Sequence, residues 1–272
     1  MKASFQNKVV VITGATGGMG RALSWRFGRA GAKLGLLDLQ REPVEALAKE
    51  LQQADIPACG YACDVREEHA CHAAIQTVKV HFGGIDVLIN NAGITQRSAF
   101  AQTESDVFRR VMNVNFFGAL YCTQAALPAL MQSQGTIIVM SSIAGFSPLF
   151  GRSGYSASKY ALHGLFESLR TEVRDSGVHV MMVCPGFTAT GIEKNALGGD
   201  GQPATQPRST TGRIATPEEV AEAIYRAACK RKRLLVLSRV GKLAYWVSRF
   251  MPALYERVMR NRLRQELQRL QH

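Results

Sequence analysis

No apolar run in the sequence reaches the roughly 18 residues that a membrane-spanning helix needs, so an ordinary transmembrane segment is not expected. The segment Met1 to Lys8 has no apolar stretch either, and a secretory signal peptide is not expected. The six cysteines (Cys59, Cys63, Cys71, Cys122, Cys184, Cys229) form no CxxC pair and show no metal-ligand spacing. They read as reduced thiols in a cytoplasmic compartment, with no metal implied. Acidic residues are scarce: 21 Asp and Glu stand against 33 Lys and Arg, a net charge of +12. An excess of that size suits nucleic acid, an anionic membrane or simply a basic surface. What is present is the composition of a globular chain, 46% hydrophobic and 20% charged over 272 residues, enough for one large α/β domain or two small ones.

The charge is unevenly placed. From Lys230 onward there are twelve basic residues and only Glu256 and Glu266 as acids, so the last 43 residues carry +10. The first 229 residues carry +2. Body and tail are therefore separate problems, with residues 1–238 as the expected domain and 239–272 as a basic extension.

Short β-branched runs alternate with helical spacing through the body. Lys8 to Thr13 (KVVVIT), Leu34 to Leu37, Ala58 to Ala62, Asp86 to Asn90, Thr136 to Met140 and Val178 to Val183 read as strands. Helical patterns follow Gly20, run from Val44 to Gln53 and from Arg66 to His81, extend from Glu104 to Met131, and run from Tyr155 to Asp175. The alternation predicts an α/β fold: a Rossmann-type, doubly wound parallel sheet in a three-layer αβα sandwich, with ligands at the carboxyl ends of the strands. Gly191 to Arg213 is rich in Gly, Pro, Thr and Gln, and reads as a lid over about residues 188–213.

Gly14 to Gly20 (GATGGMG) lies between a strand and a helix. Such a loop lets backbone approach a pyrophosphate, and the helix N-terminus adds NH groups and partial positive charge. Asp38 ends the next strand, 18 residues beyond Gly20. A carboxylate there accepts hydrogen bonds from a ribose diol and repels a 2′-phosphate, which favours NAD over NADP. Arg41, three residues on, is the feature that would suit a 2′-phosphate and keeps NADP open. Tyr155 and Lys159 are four residues apart, hence on one helix face, where an ammonium favours the phenolate.

Six motifs stand in order along the chain: Gly14-x-x-x-Gly18-x-Gly20, Asn90-Asn91-Ala92-Gly93, Asn115, Ser141-Ser142, Tyr155-x-x-x-Lys159 and Pro185-Gly186-Phe187-Thr188-Ala189-Thr190. In these residues, over about positions 8 to 229, the chain resembles the short-chain dehydrogenase/reductase family. The resemblance implies that Tyr155 exchanges a proton with a carbonyl or alcohol oxygen and that Ser142, thirteen positions earlier, stabilises that oxygen. Ser142 matches better than Ser141. It implies that Lys159 holds the nicotinamide ribose and lowers the Tyr155 pKa, and that Asn115, a better match than Asn113, positions a water relaying protons to Lys159. It implies that Thr13, Gly14, Gly18, Met19 and Gly20 line the pyrophosphate, and that Asp64 and Val65 meet the adenine. Asn91, Ala92 and Gly93 would flank the adenosine side, and Pro185, Gly186 and Thr190 would fix the nicotinamide amide. Dimers or tetramers are the implied assembly.

Ile94, Ile143, Ala144, Phe146, Leu149 and Phe150 are candidate pocket residues and favour a hydrophobic alcohol or ketone: steroid, retinoid or lipid ketone, with the hydroxysteroid dehydrogenases as the nearest look. In the tail, apolar residues from Leu243 to Leu270 recur at helical spacing with arginines between them, and Pro252 divides them into two expected short helices. Peripheral contact with an anionic membrane and packing on the body or on another subunit fit this pattern equally. With no recognition module in view, nucleic acid is not expected.

Overall fold

The computed structural model describes residues 5–192, 196–204 and 214–270. β1 (Val9–Thr13) is VVVIT, buried at all five positions. An apolar run without polar alternation suits a central strand covered on both faces. Around it lie β2 (Lys33–Asp38), β3 (Ala58–Ala62), β4 (Val87–Asn90), β5 (Thr136–Met140), β6 (His179–Cys184) and β7 (Leu234–Val236). All pair in parallel, in the order β3-β2-β1-β4-β5-β6-β7. The winding reverses between β1 and β4, and the crevice at that switch point is where a doubly wound sheet accepts its ligand.

Helices cover both faces, as the alternating pattern predicts. α1 (Gly18–Gly28), α2 (Arg41–Gln52) and α7 (Pro217–Cys229) pack on one side. α3 (Glu68–Phe82), α5 (Gly118–Ser133) and α6 (Ser153–Glu172) pack on the other. Within β1 the period of two divides the strand: Val10 and Ile12 join the first core, Val9 and Val11 the second. The start of α7 is marked by a capping box. The Thr216 hydroxyl accepts from Glu219 N at 3.2 Å, the Glu219 carboxylate accepts from Thr216 N at 3.1 Å, and Pro217 opens the helix.

The long helix expected over 104–131 is instead α4 (Ser105–Met112) and α5 joined by a single π turn, Asn113–Phe117. The wider turn holds Asn115 inside, 1% exposed. By length and mean hydropathy (1.2), the 29-residue stretch Ser105–Ser133 could cross a membrane, which a search for uninterrupted apolar runs does not register. Here it is a core element, packed through α4 on α6 and through α5 on α3.

The tail forms α8 (Arg239–Phe250) and α9 (Pro252–Leu270), divided at Pro252 as its position predicts; α9, at 19 residues, is longer than expected. Both helices lie on the loop that follows β5. The Ser147 hydroxyl is 3.1 Å from the Ala244 carbonyl and 2.9 Å from the Ser248 hydroxyl, which donates to Phe146 O at 3.1 Å. Tyr255 OH donates to Pro148 O at 3.1 Å, and the Phe146 and Tyr245 rings meet edge to face at 5.1 Å. Of the lid expected over 188–213, residues 193–195 and 205–213 lie outside the described residues. Within the rest, Leu197 bridges to Gln96 and to Pro203, and Thr188 bridges to Ala215.

Candidate active site

The loop from β1 into α1 has almost no room for side chains. Gly14 sits at φ +63°, where a Cβ would also lie 2.8 Å from Ala92 Cα. At Gly20 a Cβ would lie 2.1 Å from the Gly14 carbonyl oxygen. Gly20→Ala should therefore displace the loop and lower stability by about 1–3 kcal/mol, the usual cost of overpacking. Thermal unfolding of the variant against wild type checks this. α1 begins without a side-chain cap and with no acid in its first turn, so its leading NH groups remain available to an anion.

Hydrogen bonds join this loop to the end of β4. Thr13 Oγ1 accepts from Asn91 N and from Ala92 N, each at 3.0 Å. Asn91 Nδ2 donates to Thr13 O and Gly14 O, each at 2.9 Å. Asp38, at the end of β2, accepts from Thr16 N at 2.8 Å and Thr16 Oγ1 at 2.7 Å, which sets its carboxylate beside the glycine loop. Arg41, largely exposed, lies 3.8 Å from Glu45. Asp64 lies two residues beyond β3, and its hydrogen-bonded pairing with Arg66 holds the carboxyl below the usual range. Val65 packs where α5 begins, beside Gly118.

Tyr155 and Lys159 lie one turn apart on α6, with Nζ 5.6 Å from the centre of the phenol ring. Lys159 is 5% exposed and donates to Met140 O at 2.8 Å. Burial pushes its pKa down from 10.5 to about 8, with Cys184 opposing the shift. Ser142 caps a short 3₁₀ turn, Ile143–Gly145, and its Oγ accepts from Ala144 N at 3.2 Å. Asn115 lies behind this group. Its Oδ1 accepts from Ile94 N at 2.8 Å, and its Nδ2 donates to Ile94 O at 3.0 Å and Ser158 Oγ at 2.9 Å. A Cβ on Gly93 would lie 3.2 Å from Asn115 Oδ1 and 3.6 Å from Lys159 Nζ, so amide and ammonium abut the same glycine.

A cavity of about 520 Å³ opens in front of these residues. Ser142, Tyr155 and Lys159 line it, with Ser141 beside them. Met19, Asn91, Gly93, Pro185, Gly186 and Thr190 form the part next to the glycine loop. Asn115 is not on the described wall, nor are Thr13, Gly14, Gly18, Gly20, Ala92, Asp38, Asp64 and Val65, which extend away from it around the ends of β1 to β4. Among the apolar candidates, Ile143, Leu149 and Phe150 line the cavity. Ala144 is fully buried, Phe146 packs on Tyr245, and Ile94 supports Asn115 through its backbone.

Sequence reasoning missed part of the wall. Val240, Leu243, Val247, Leu254, Tyr255 and Val258, all from the tail, face the cavity, as does Arg152, whose Nη1 donates to Thr95 Oγ1 at 2.8 Å. The helical spacing of the tail was visible, but spacing does not say what a helix packs against. Among the described residues, no group of three His, Cys, Asp or Glu side chains is placed to hold a metal ion.

Comparison with known proteins agrees with this geometry. Residues 8–199 match the family model described as short chain dehydrogenase. A relative from Bos taurus, dehydrogenase/reductase SDR family member 7B, is 38% identical over 274 residues, covering 98% of this chain and 84% of the relative. Dehydrogenase/reductase SDR family protein 7-like from Drosophila melanogaster is 34% identical, covering 94% and 80%. A solved short-chain dehydrogenase/reductase from Burkholderia phymatum, in complex with NAD, superposes with a TM-score of 0.82 at 23% identity, over 93% of this chain and 96% of that one. The chain belongs to the short-chain dehydrogenase/reductase family and is an oxidoreductase acting on CH–OH groups.

Proposed function

We propose that the protein interconverts a secondary alcohol and a ketone on a hydrophobic substrate, using NAD(H), with Tyr155 as general acid and base. The observation that carries this reading is the cavity itself: Tyr155, Ser142 and Lys159 share one wall, and apolar side chains supply most of the remainder.

The residues fit a dinucleotide. The uncapped start of α1 suits a pyrophosphate, and the Asp38 carboxylate stands beside the glycine loop. The similar Burkholderia phymatum protein binds NAD, which supports the same cofactor class here. When bound, a nicotinamide supplies or accepts the hydride. The protein moves the proton. In reduction, the Tyr155 hydroxyl gives its proton to the carbonyl oxygen while the Ser142 hydroxyl donates a hydrogen bond to it; in oxidation, the Tyr155 phenolate takes the proton from the alcohol. Lys159, in its charged form, favours that phenolate. Asn115 Oδ1 accepts from Ile94 N, and a carbonyl oxygen has two lone pairs, which leaves capacity for a relay water.

The preference for NAD rests on Asp38, whose charge opposes a 2′-phosphate. NADH should bind more tightly than NADPH by about tenfold or more, the factor that roughly 1.4 kcal/mol supplies. Parallel fluorescence titrations, with Asp38→Ser narrowing the gap, test the assignment. Tighter NADPH binding by the wild-type protein would overturn it.

A further inference from the structure

The outer surface of the tail is apolar where a folded domain is normally polar. Leu243 is 65% exposed, Trp246 59% and Phe250 66%, and the Trp246 and Phe250 rings stack at 5.3 Å. The exposure does not come from a loosely held helix. The opposite side of α8 is fixed to the body through Ala244, Tyr245 and Ser248, and α9 through Tyr255. Val240, Leu243, Leu254 and Val258 are both exposed and part of the cavity wall, so they form its mouth. Exposed Lys242, Arg249, Arg257 and Arg260 stand on the same two helices, with Glu256 as the one acid between residues 239 and 261.

We propose that α8 and α9 form a docking rim that seats the cavity mouth on an anionic lipid bilayer, so that substrate enters from the lipid. Two observations select a bilayer as the occupant. The cations beside the apolar ridge complement anionic headgroups, and a stacked Trp and Phe suit the interfacial layer. The ridge also adjoins the mouth through Leu243, which belongs to both: a second copy fixed there would crowd the substrate's route, whereas a fluid bilayer leaves it open to the phase in which an apolar ketone dissolves. The delivery half of the proposal rests on the hydrophobic-substrate reading above; the docking half does not.

The test uses the full chain, vesicles of phosphatidylcholine with and without phosphatidylserine, and the variants Trp246→Glu/Phe250→Glu and Lys242→Glu/Arg249→Glu. None of these four side chains lines the described cavity. Wild-type protein should co-sediment with the phosphatidylserine vesicles and release as salt rises, because surface charge is screened. Each double variant should bind about tenfold more weakly, since lost apolar insertion or lost charge attraction each exceeds roughly 1.4 kcal/mol. Thermal unfolding matched to wild type shows that the variants fold. Turnover of a small water-soluble ketone should be unchanged by Trp246→Glu/Phe250→Glu, and turnover of a vesicle-dissolved ketone should fall with binding. Failure of wild type to bind the anionic vesicles, or wild-type binding by both variants, overturns the proposal. So does a dimer in solution that Trp246→Glu/Phe250→Glu dissolves, which gives the rim to a second copy. Vesicle binding with no turnover of any ketone leaves the rim standing and overturns the substrate reading instead.

Discussion

Tyr155→Phe should lower kcat by about 10²–10⁴-fold, the range that a positioned proton donor contributes, and leave the affinity for NADH unchanged. The variant removes one oxygen and keeps the ring, so α6, the position of Lys159 and the cavity wall are retained. Ser142 still donates a hydrogen bond to the substrate oxygen, but it is no substitute for a proton lost or gained in the reaction. Steady-state turnover and a cofactor titration on the same preparation separate the two effects. A variant with full activity would place proton transfer on another group; a variant that no longer binds NADH would make Tyr155 a binding residue.

Lys159→Met should abolish most activity, by about 10²-fold or more, and also change how stability depends on pH. Burial in the folded protein lowers the Lys159 pKa from 10.5 to about 8. Below about pH 8, both folded and unfolded chains carry the proton, and the folded state bears the whole desolvation penalty. Between about 8 and 10.5, the unfolded chain binds more protons, so wild-type stability rises with pH. The unfolding free energy of wild type minus that of Lys159→Met should therefore shift by about 3 kcal/mol in favour of wild type across that window. Denaturant unfolding at both ends of the window checks the shift; a flat difference would show that the ammonium is solvated.

The sheet was legible because its strands are buried on both faces. VVVIT and TIIVM carry no polar residue on either side except threonine at a strand end, and a run of that kind has few other places to go. The placement of the candidate residues was legible where it is local: Gly14 to Gly20 and Tyr155 with Lys159 each lie within one turn or loop, where spacing fixes the geometry. Position in the cavity was harder to read. Asn115 stands behind the wall because a π turn, which no residue preference announces, rotates it inward. The tail's part in the cavity was hidden for a different reason. The contact between α8 and the loop after β5 joins residues about a hundred positions apart, such as Ser147 and Ser248, and helical periodicity carries no information on such a partner.

A turnover assay that follows nicotinamide absorbance decides whether the protein interconverts hydrophobic alcohols and ketones. The substrates are a panel of secondary alcohols and ketones, graded from sugars to long-chain and polycyclic compounds, with each cofactor in turn. Conversion with NAD(H) is expected, strongest for substrates whose apolar groups fill the cavity and weak for sugars. NADH binding without turnover of any member of the panel would contradict it.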